Sequence, residues 1–344
     1  MSGGVDSSVA AGLLIEQGYD VRGVSLRLWE GERLGPRNCS DHRGAAQIAA
    51  MLGIEHTLLD RRGQFVDAVV KPFARDYLRG RTPNPCVACN RDFKLGTLLN
   101  WAKAQGADYV ATGHYARLIR EELNGRVALF RGLDSKKDQS YFLFALSRDQ
   151  LEHTLFPLGE MRKSEVREQA RKLDLPVADR SESQDICFGD YRALVESCAT
   201  PREIGAGDVV DRSGEVLAQH AGIHGFTIGQ RRGLGISLSR PLYVVDIEAD
   251  SKRVVVGTKE ELSCKGLIAN NVNWLEPIDE DEIAVKVQIR YRSPAIPCVV
   301  RRTDAETMEV FFTEDSSAVT PGQAAVFYHG DRLLGGGWIE SAIK

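Results

Sequence analysis

The sequence predicts an α/β chain in which a doubly wound parallel-sheet domain comes first and two small β domains follow. Three observations carry this. Helix-period and strand-period stretches alternate to about residue 190, which implies a parallel sheet covered on both faces. From about residue 205 the texture changes to short β-branched and aromatic runs punctuated by Gly, Asp and Pro turns. Within that β half, ELSCKGLI near 262 to 268 marks a further boundary. The expected domains are residues 1–195, 200–263 and 265–344.

In order along the chain, SSVAAGLLIEQG places Val9, Leu13 and Leu14 at helical spacing and stops at Gly18. VRGVSL is a short strand. Asp41 caps an Ala-rich helix through GAAQIAAMLG, and the apolar run HTLLD follows. A helix through FKLGTLLNWAKAQG leads to a strand in ADYVATG, and KSEVREQARKLDL is a further helix. In the second half, GDVVDRSGEVLAQH, PLYVVDIEADSKRVVVG, IAVKVQIRYRS, MEVFFTE and AAVFYHGDRLLGGGWIE are the strand-rich stretches.

Composition narrows the class. The 344 residues are 43% hydrophobic and 27% charged, as in an ordinary globular chain with length for several cores. No run of about 18 apolar residues occurs, and MSGGVDSS lacks the basic and apolar regions of a secretory signal, so no membrane association is expected and the chain reads as cytoplasmic. Seven cysteines, an odd number, do not form a disulfide framework, so a special cysteine is catalytic or metal-binding. A net charge of −4 argues against a sequence-blind nucleic-acid binder and leaves room for a local basic surface.

Two stretches carry chemistry. SGGVDSS, residues 2 to 8, opens a helix: glycines let backbone N–H groups approach phosphate oxygens, the helix N-terminus favours negative charge, and serine hydroxyls add donors. Taken blindly, such a string is more often a plain helix cap. NPCVACN sets Cys86 and Cys89 three apart, a spacing that serves a structural metal half-site best, and otherwise thiol chemistry or an inert core. By residue type alone Cys187 is a small buried hydrophobe, His114 a structural histidine and the 136–138 turn a solvated one.

The loop resembles the SGGxDS loop of the ATP pyrophosphatases, which cleave ATP between the α and β phosphates and leave AMP on a substrate. With GRTPNPCVACN, ATGHYAR, LFRGLDSKKDQSYFL, SQDICF, GQRRGLGI and TPGQAAVFY, the chain resembles the bacterial tRNA-specific 2-thiouridylases over essentially its whole length. The resemblance implies an ATP pyrophosphatase domain followed by two small β domains, the last a β-barrel. It implies 2-thiolation of the wobble uridine of the tRNAs for lysine, glutamate and glutamine, with ATP and Mg²⁺ used to adenylate the C2 oxygen. Cys187 would carry a persulfide received from a sulfur-carrier protein or cysteine desulfurase, and Cys89 would be the nucleophilic, resolving thiol, leaving a Cys89–Cys187 disulfide. Met1, Ser2, Gly3, Gly4, Val5, Asp6, Ser7, Ser8, Leu26 and Gly113 would bind ATP, Asp6 orienting the phosphates or helping to hold Mg²⁺. Asn84, Pro85 and Cys86 would flank the extruded target base. His114, Lys137, Asp138, Gln139, Arg290, Tyr291 and Gln323 would contact the tRNA, chiefly its anticodon arm, with Arg231 and Arg232 a basic pair suited to phosphates.

Two departures from the family pattern stand out. Many relatives have an acidic residue where this chain has Cys86. Cys86, Cys89 and Cys187 would then supply three thiolates, enough for a 4Fe–4S cluster with one iron left open to deliver sulfide, as in some tRNA thiolases with the same loop. Relatives also carry an apolar strand before the phosphate loop, whereas Met1 directly precedes SGGVDSS, so a truncated or misassigned start is expected. Two other classes stay open: a tRNA-binding or sulfur-shuttling protein without adenylation activity, and an enzyme of the same loop superfamily acting on a small molecule.

Overall fold

The computed structural model describes residues 1–29, 41–122, 125–180, 187, 189–236 and 240–344. Its elements run α1 (Val5–Glu16), β1 (Gly23–Arg27), α2 (His42–Met51), β2 (His56–Asp60), α3 (Arg62–Phe65), a π-helical stretch Val66–Val70, and α4 (Lys71–Leu78). Next come α5 (Pro85–Ala88), a second π-helical stretch Cys89–Thr97, α6 (Leu98–Ala104), β3 (Val110–Ala111), β4 (Ala116–Arg120), β5 (Val127–Arg131), α7 (Arg148–Glu152), β6 (Thr154–Leu155) and α8 (Lys163–Lys172). The second half holds α9 (Tyr191–Cys198), α10 (Pro201–Ile204), β7 (Gly207–Val210), β8 (Val216–His220), β9 (Tyr243–Glu248), β10 (Arg253–Gly257), β11 (Ser263–Trp274), β12 (Glu282–Gln288), β13 (Ile296–Arg302), β14 (Met308–Ser317), β15 (Ala324–His329) and β16 (Arg332–Ile343). Two compact units result: Met1–Val69 with Cys86–Gly189 and Gly330–Leu334, and Val70–Pro85 with Asp190–His329 and Gly335–Lys344.

In the first unit the expected parallel pairing is present as two ladders. β1 runs parallel to β2 from Gly23↔His56 to Arg27↔Asp60, and β3 pairs parallel with β6 at Val110↔Thr154. Buried Val5, Val9, Ala10, Ile48, Tyr115, Leu158, Val166 and Ala170 form a core beneath the start of α1. Gly12 lets α1 close on α8: a Cβ there would stand 2.4 Å from Leu173 Cδ1. Asp41 caps α2 by accepting from Gly44 N at 2.9 Å, a contact worth about 1 kcal/mol. The strand expected through ADYVATG shortens to Val110–Ala111. The helix expected from Phe93 instead starts at Pro85, because proline suits a first turn and the π stretch breaks the 3.6-residue pattern across Cys89.

In the second unit a four-stranded sheet has the order β8-β7-β10-β9, with β7 and β10 parallel, around Val209, Val244, Val254 and Val256. The last domain is a closed six-stranded barrel, β11-β14-β13-β12-β15-β16, shut by pairing of β11 with β16. Gly266 allows the β11–β14 approach, since a Cβ there would fall 2.1 Å from Val310 O. The stretch Val70–Pro85 belongs to this unit. Tyr77 of α4 stacks on Tyr191 of α9 at 4.8 Å, Thr82 N donates to Pro321 O, and Gln323 Nε2 donates to Thr82 O at 2.8 Å. Among the described residues no helix is long and apolar enough to cross a membrane.

Candidate active site

The glycine–serine loop wraps the N-terminus of α1. Gly4 is the N-cap and provides no side chain to satisfy the first-turn N–H groups, which therefore remain suited to an anion. The loop is tied internally: Ser7 Oγ and Ser8 Oγ donate to Gly4 O, and Ser2 N donates to Ser7 Oγ at 3.2 Å. Gly3 has φ +73°, and a Cβ on it would meet Asp41 O at 2.6 Å, so two reasons require glycine. Met1 lies along β1, its N-terminal amine donating to Val24 O and its carbonyl accepting from Ser25 Oγ at 2.6 Å. Val5 and Leu26 are buried, Leu26 on β1 facing the same unit's interior. Gly113 packs on the loop backbone, since a Cβ would stand 2.7 Å from Asp6 C and 2.8 Å from Ser7 N.

Asp6 does not present a free carboxylate. Its Oδ1 accepts from Lys163 Nζ at 2.6 Å and from Tyr115 Oη at 2.7 Å. Lys163, 9% exposed, thus brings a cation to the first turn of α1 from the start of α8. Sequence reasoning missed it, although a lysine opening the KSEV helix was in plain view; the contact spans 157 residues. Among the described residues no group of three or more His, Cys, Asp or Glu stands where a metal could be held.

The cysteines lie in the same unit. Cys86 in α5 and Cys89 at the head of the π stretch are one helical turn apart and share a face, so this segment is helical. None of Cys86, Cys89 and Cys187 is in a disulfide. Burial pushes Cys86 up to about 11 and Cys89 up to about 12, Lys94 pulls both down, and Cys187 pushes both up, which places the third thiol within their electrostatic reach. A 4Fe–4S cluster on Cys86, Cys89 and Cys187 stands as the alternative to persulfide delivery that the sequence raises. Most of the SQDICF motif, residues 183–186 and 188, lies outside the described residues.

His114 links the two regions. It follows Gly113, is 8% exposed, shares a hydrogen bond between Nδ1 and Thr112 Oγ1 at 2.8 Å, and packs edge-on against Phe156. Burial first and Lys94 second hold it down at about 3, so the ring is neutral. The resemblance expects it at the tRNA; in this structure its ring is buried. Asp138 is likewise spent internally: its oxygens accept from Arg131 Nη1, Gly132 N, Ser140 N and Ser140 Oγ. Gln139 Oε1 accepts from Tyr115 N, and Lys137 is half-buried beside it.

The second unit holds the remaining expected residues. Asn84 is half-buried and Pro85 buried. Arg290 is exposed, with Nη2 donating to Thr320 Oγ1 at 2.8 Å; Tyr291 carries the Arg292 guanidinium 5.3 Å from its ring centre. Arg231 and Arg232 are exposed. Gln323 is occupied by Thr82, two residues before Asn84, so it braces the approach to NPCVACN.

Family models match three successive stretches: a tRNA methyl transferase HUP domain over residues 1–190, a tRNA methyl transferase PRC-barrel domain over 199–258 and an aminomethyltransferase β-barrel domain over 264–339. Fold and loop together therefore define a HUP-domain protein with two appended β domains. A tRNA-specific 2-thiouridylase MnmA from Syntrophotalea carbinolica is 49% identical, covering 98% of this chain and 97% of its own. Those from Carboxydothermus hydrogenoformans, at 47% over 100% and 97%, and Geotalea uraniireducens, at 46% over 100% and 94%, are similar throughout as well. The chain belongs to the tRNA-specific 2-thiouridylase family. A solved chain described as a predicted subunit of tRNA methyltransferase from Methanocaldococcus jannaschii is 18% identical over 49% of this chain and 72% of its own, with a TM-score of 0.30.

Proposed function

We propose that the protein installs sulfur at C2 of the wobble uridine in the tRNAs for lysine, glutamate and glutamine, in the cytoplasm, using Mg-ATP. The observation that carries this reading is the continuity of one unit from phosphate loop to thiols. Gly113 lies on Asp6 and Ser7, His114 and both Cys86 and Cys89 lie in the field of Lys94, and the two cysteines sense Cys187. Methyl transfer, which the family-model descriptions name, would leave these three thiols without a part.

The chemistry follows from the poor leaving ability of a carbonyl oxygen. The uridine O2 attacks the α-phosphorus of ATP and displaces pyrophosphate, so that AMP becomes the leaving group at C2. The loop residues Ser2 to Ser8, with Met1, Leu26 and Gly113, hold the nucleotide, first-turn N–H groups and Lys163 facing its phosphates. Asp6 keeps Lys163 aimed there. The terminal sulfur of a Cys187 persulfide attacks C2 and AMP departs. The Cys89 thiolate then attacks the Cys187 Sγ, its bond to the transferred sulfur breaks, and thiouridine is released with a Cys89–Cys187 disulfide that an external thiol must reduce. A sulfur-carrier protein or cysteine desulfurase reloads Cys187. Asn84, Pro85 and Cys86 border the extruded base. Lys137, Gln139, Arg290 and Tyr291 meet the RNA; His114 and Asp138 support the first two from within their own unit, and Gln323 supports the contacts of the other unit.

Nucleoside mass spectrometry on tRNA incubated with protein, Mg-ATP and a persulfide donor tests this. Wild type yields 2-thiouridine, while Cys89→Ser and Cys187→Ser yield none yet still convert ATP to AMP. Full thiolation by either variant refutes the assigned roles. A brown protein with about four irons per chain after anaerobic reconstitution, losing colour and thiolation on Cys86→Ala, would replace persulfide delivery by the cluster route.

A further inference from the structure

Arg180 has no part in the chemistry above, and it stands against the phosphate loop. Its Nη1 donates to Gly3 O at 3.1 Å and to Asp41 Oδ2 at 2.9 Å. The other Asp41 oxygen, Oδ1, caps α2 through Gly44 N, while Asp41 N donates to Ser2 O at 2.9 Å. Asp41 is thus a carboxylate fixed on the loop backbone, where Gly3 leaves no room for a side chain. Unpaired, it would oppose any polyphosphate bound at Ser2 to Ser8.

Arg180 is itself held in place. Arg167 of α8 donates from Nη1 to Ala178 O at 2.9 Å and from Nη2 to Arg180 O at 3.3 Å, and Arg171 pairs with Asp179 at 2.8 Å. The same helix begins with Lys163 on Asp6. One helix therefore braces the loop at two points, through Lys163 at the α1 turn and through the 178–180 segment at Gly3.

We propose that Arg180 is a positioning residue for ATP: it neutralises Asp41 and orients the Gly3 carbonyl away from the phosphates, so that the loop presents N–H groups to them. The inference rests on Ser2 to Ser8 being the ATP loop. A purely mechanical brace would act only through the Gly3 carbonyl; a charge-neutralising one depends on the presence of the Asp41 carboxylate. Asparagine at 41 keeps an oxygen for the α2 cap while removing the charge.

Equilibrium binding of Mg-ATP to the full chain, with AMP formation on tRNA in parallel, separates these. Arg180→Ala should weaken ATP binding about tenfold and raise KM for ATP with kcat little changed, the size expected for losing one charge-assisted contact. Asp41→Asn should tighten binding by about twofold to threefold, since Arg180 then faces the phosphates uncompensated. The double variant should recover most of the lost affinity, and Arg180→Lys should lie between wild type and Arg180→Ala. Wild-type affinity in Arg180→Ala, or a double variant no better than the single one, overturns the proposal. Should Arg180→Ala fail to fold by circular dichroism, Asp41→Asn decides, because equal or weaker ATP binding there is incompatible with a repelling carboxylate. No Mg-ATP binding by wild type overturns the ATP loop itself, and the Arg180 role with it.

Discussion

Burial works against a thiol that must become a nucleophile, and Cys89, buried at the head of the π stretch, is pushed up to about 12. Lys94 offsets part of this, yet at neutral pH Cys86 and Cys89 are thiols. Iodoacetamide at pH 7 should therefore label exposed Cys198 well before either, as peptide mass mapping would show; faster labelling of Cys89 would mean that Lys94 outweighs burial. His114 has the opposite linkage. Its folded value of about 3 lies below the ordinary 6.5, so the unfolded chain takes up the proton first, and stability is lost as pH falls from about 6.5 toward 3. Urea unfolding across that range should show a shallower acid loss in His114→Asn than in wild type, and parallel slopes would contradict the assignment. Residues whose partners are local, such as the Asp41 cap and the Gly18 stop, were legible in the sequence. Lys163, Tyr115 and Arg180 were not, because their partners lie 109 to 177 residues away.

At the scale of elements, the π-helical stretch Cys89–Thr97 decides what the cysteines face. An i→i+5 turn keeps Lys94 nearer the Cys89 face than α-helical winding would, and Lys94 acts electrostatically on Cys89. The wider turn loosens carbonyls that need partners, and side chains supply them: Gln150 Nε2 donates to Arg91 O at 2.6 Å and to Leu95 O at 2.9 Å, and Thr97 Oγ1 donates to Asp92 O at 2.8 Å. Gly96 is required as well, since a Cβ would fall 2.5 Å from Arg91 O. Gln150→Leu should cost about 1 kcal/mol by denaturant unfolding, from the lost bonds to an exposed and a part-buried carbonyl and a lost capping-box arm on α7, and should lower thiolation more than adenylation. Equal losses in both activities would show that the π turn does not serve the thiols. Helical periodicity could not reveal this stretch, because the π winding removes the 3.6-residue signal on which such assignments depend.

At the scale of the whole molecule, the change of texture near residue 205 located the β half, while the closed barrel was implied by the family resemblance and not by that texture, and compactness divides the chain differently. Val70–Pro85 lies early in the sequence and packs with the later unit. Its partners are remote: Thr82 Oγ1 bonds to Thr227 Oγ1, and Arg81 pairs with Glu340 at 2.9 Å across 259 residues. Gly80, at φ +72°, nestles on Ile247, where a Cβ would approach Cγ2 to 2.7 Å. A fragment of residues 1–190 keeps every loop and cysteine residue assigned to the chemistry, yet strips Tyr77 of Tyr191 and Thr82 of Pro321 and Gln323. Exposing the tyrosine alone costs about 2 kcal/mol. Limited proteolysis should therefore cut the fragment between Lys71 and Pro85 and spare that stretch in the full chain, and the fragment should melt lower even before any test with tRNA. Equal protection of residues 70–85 in both would show that the β half is dispensable to this segment and serves only its own fold.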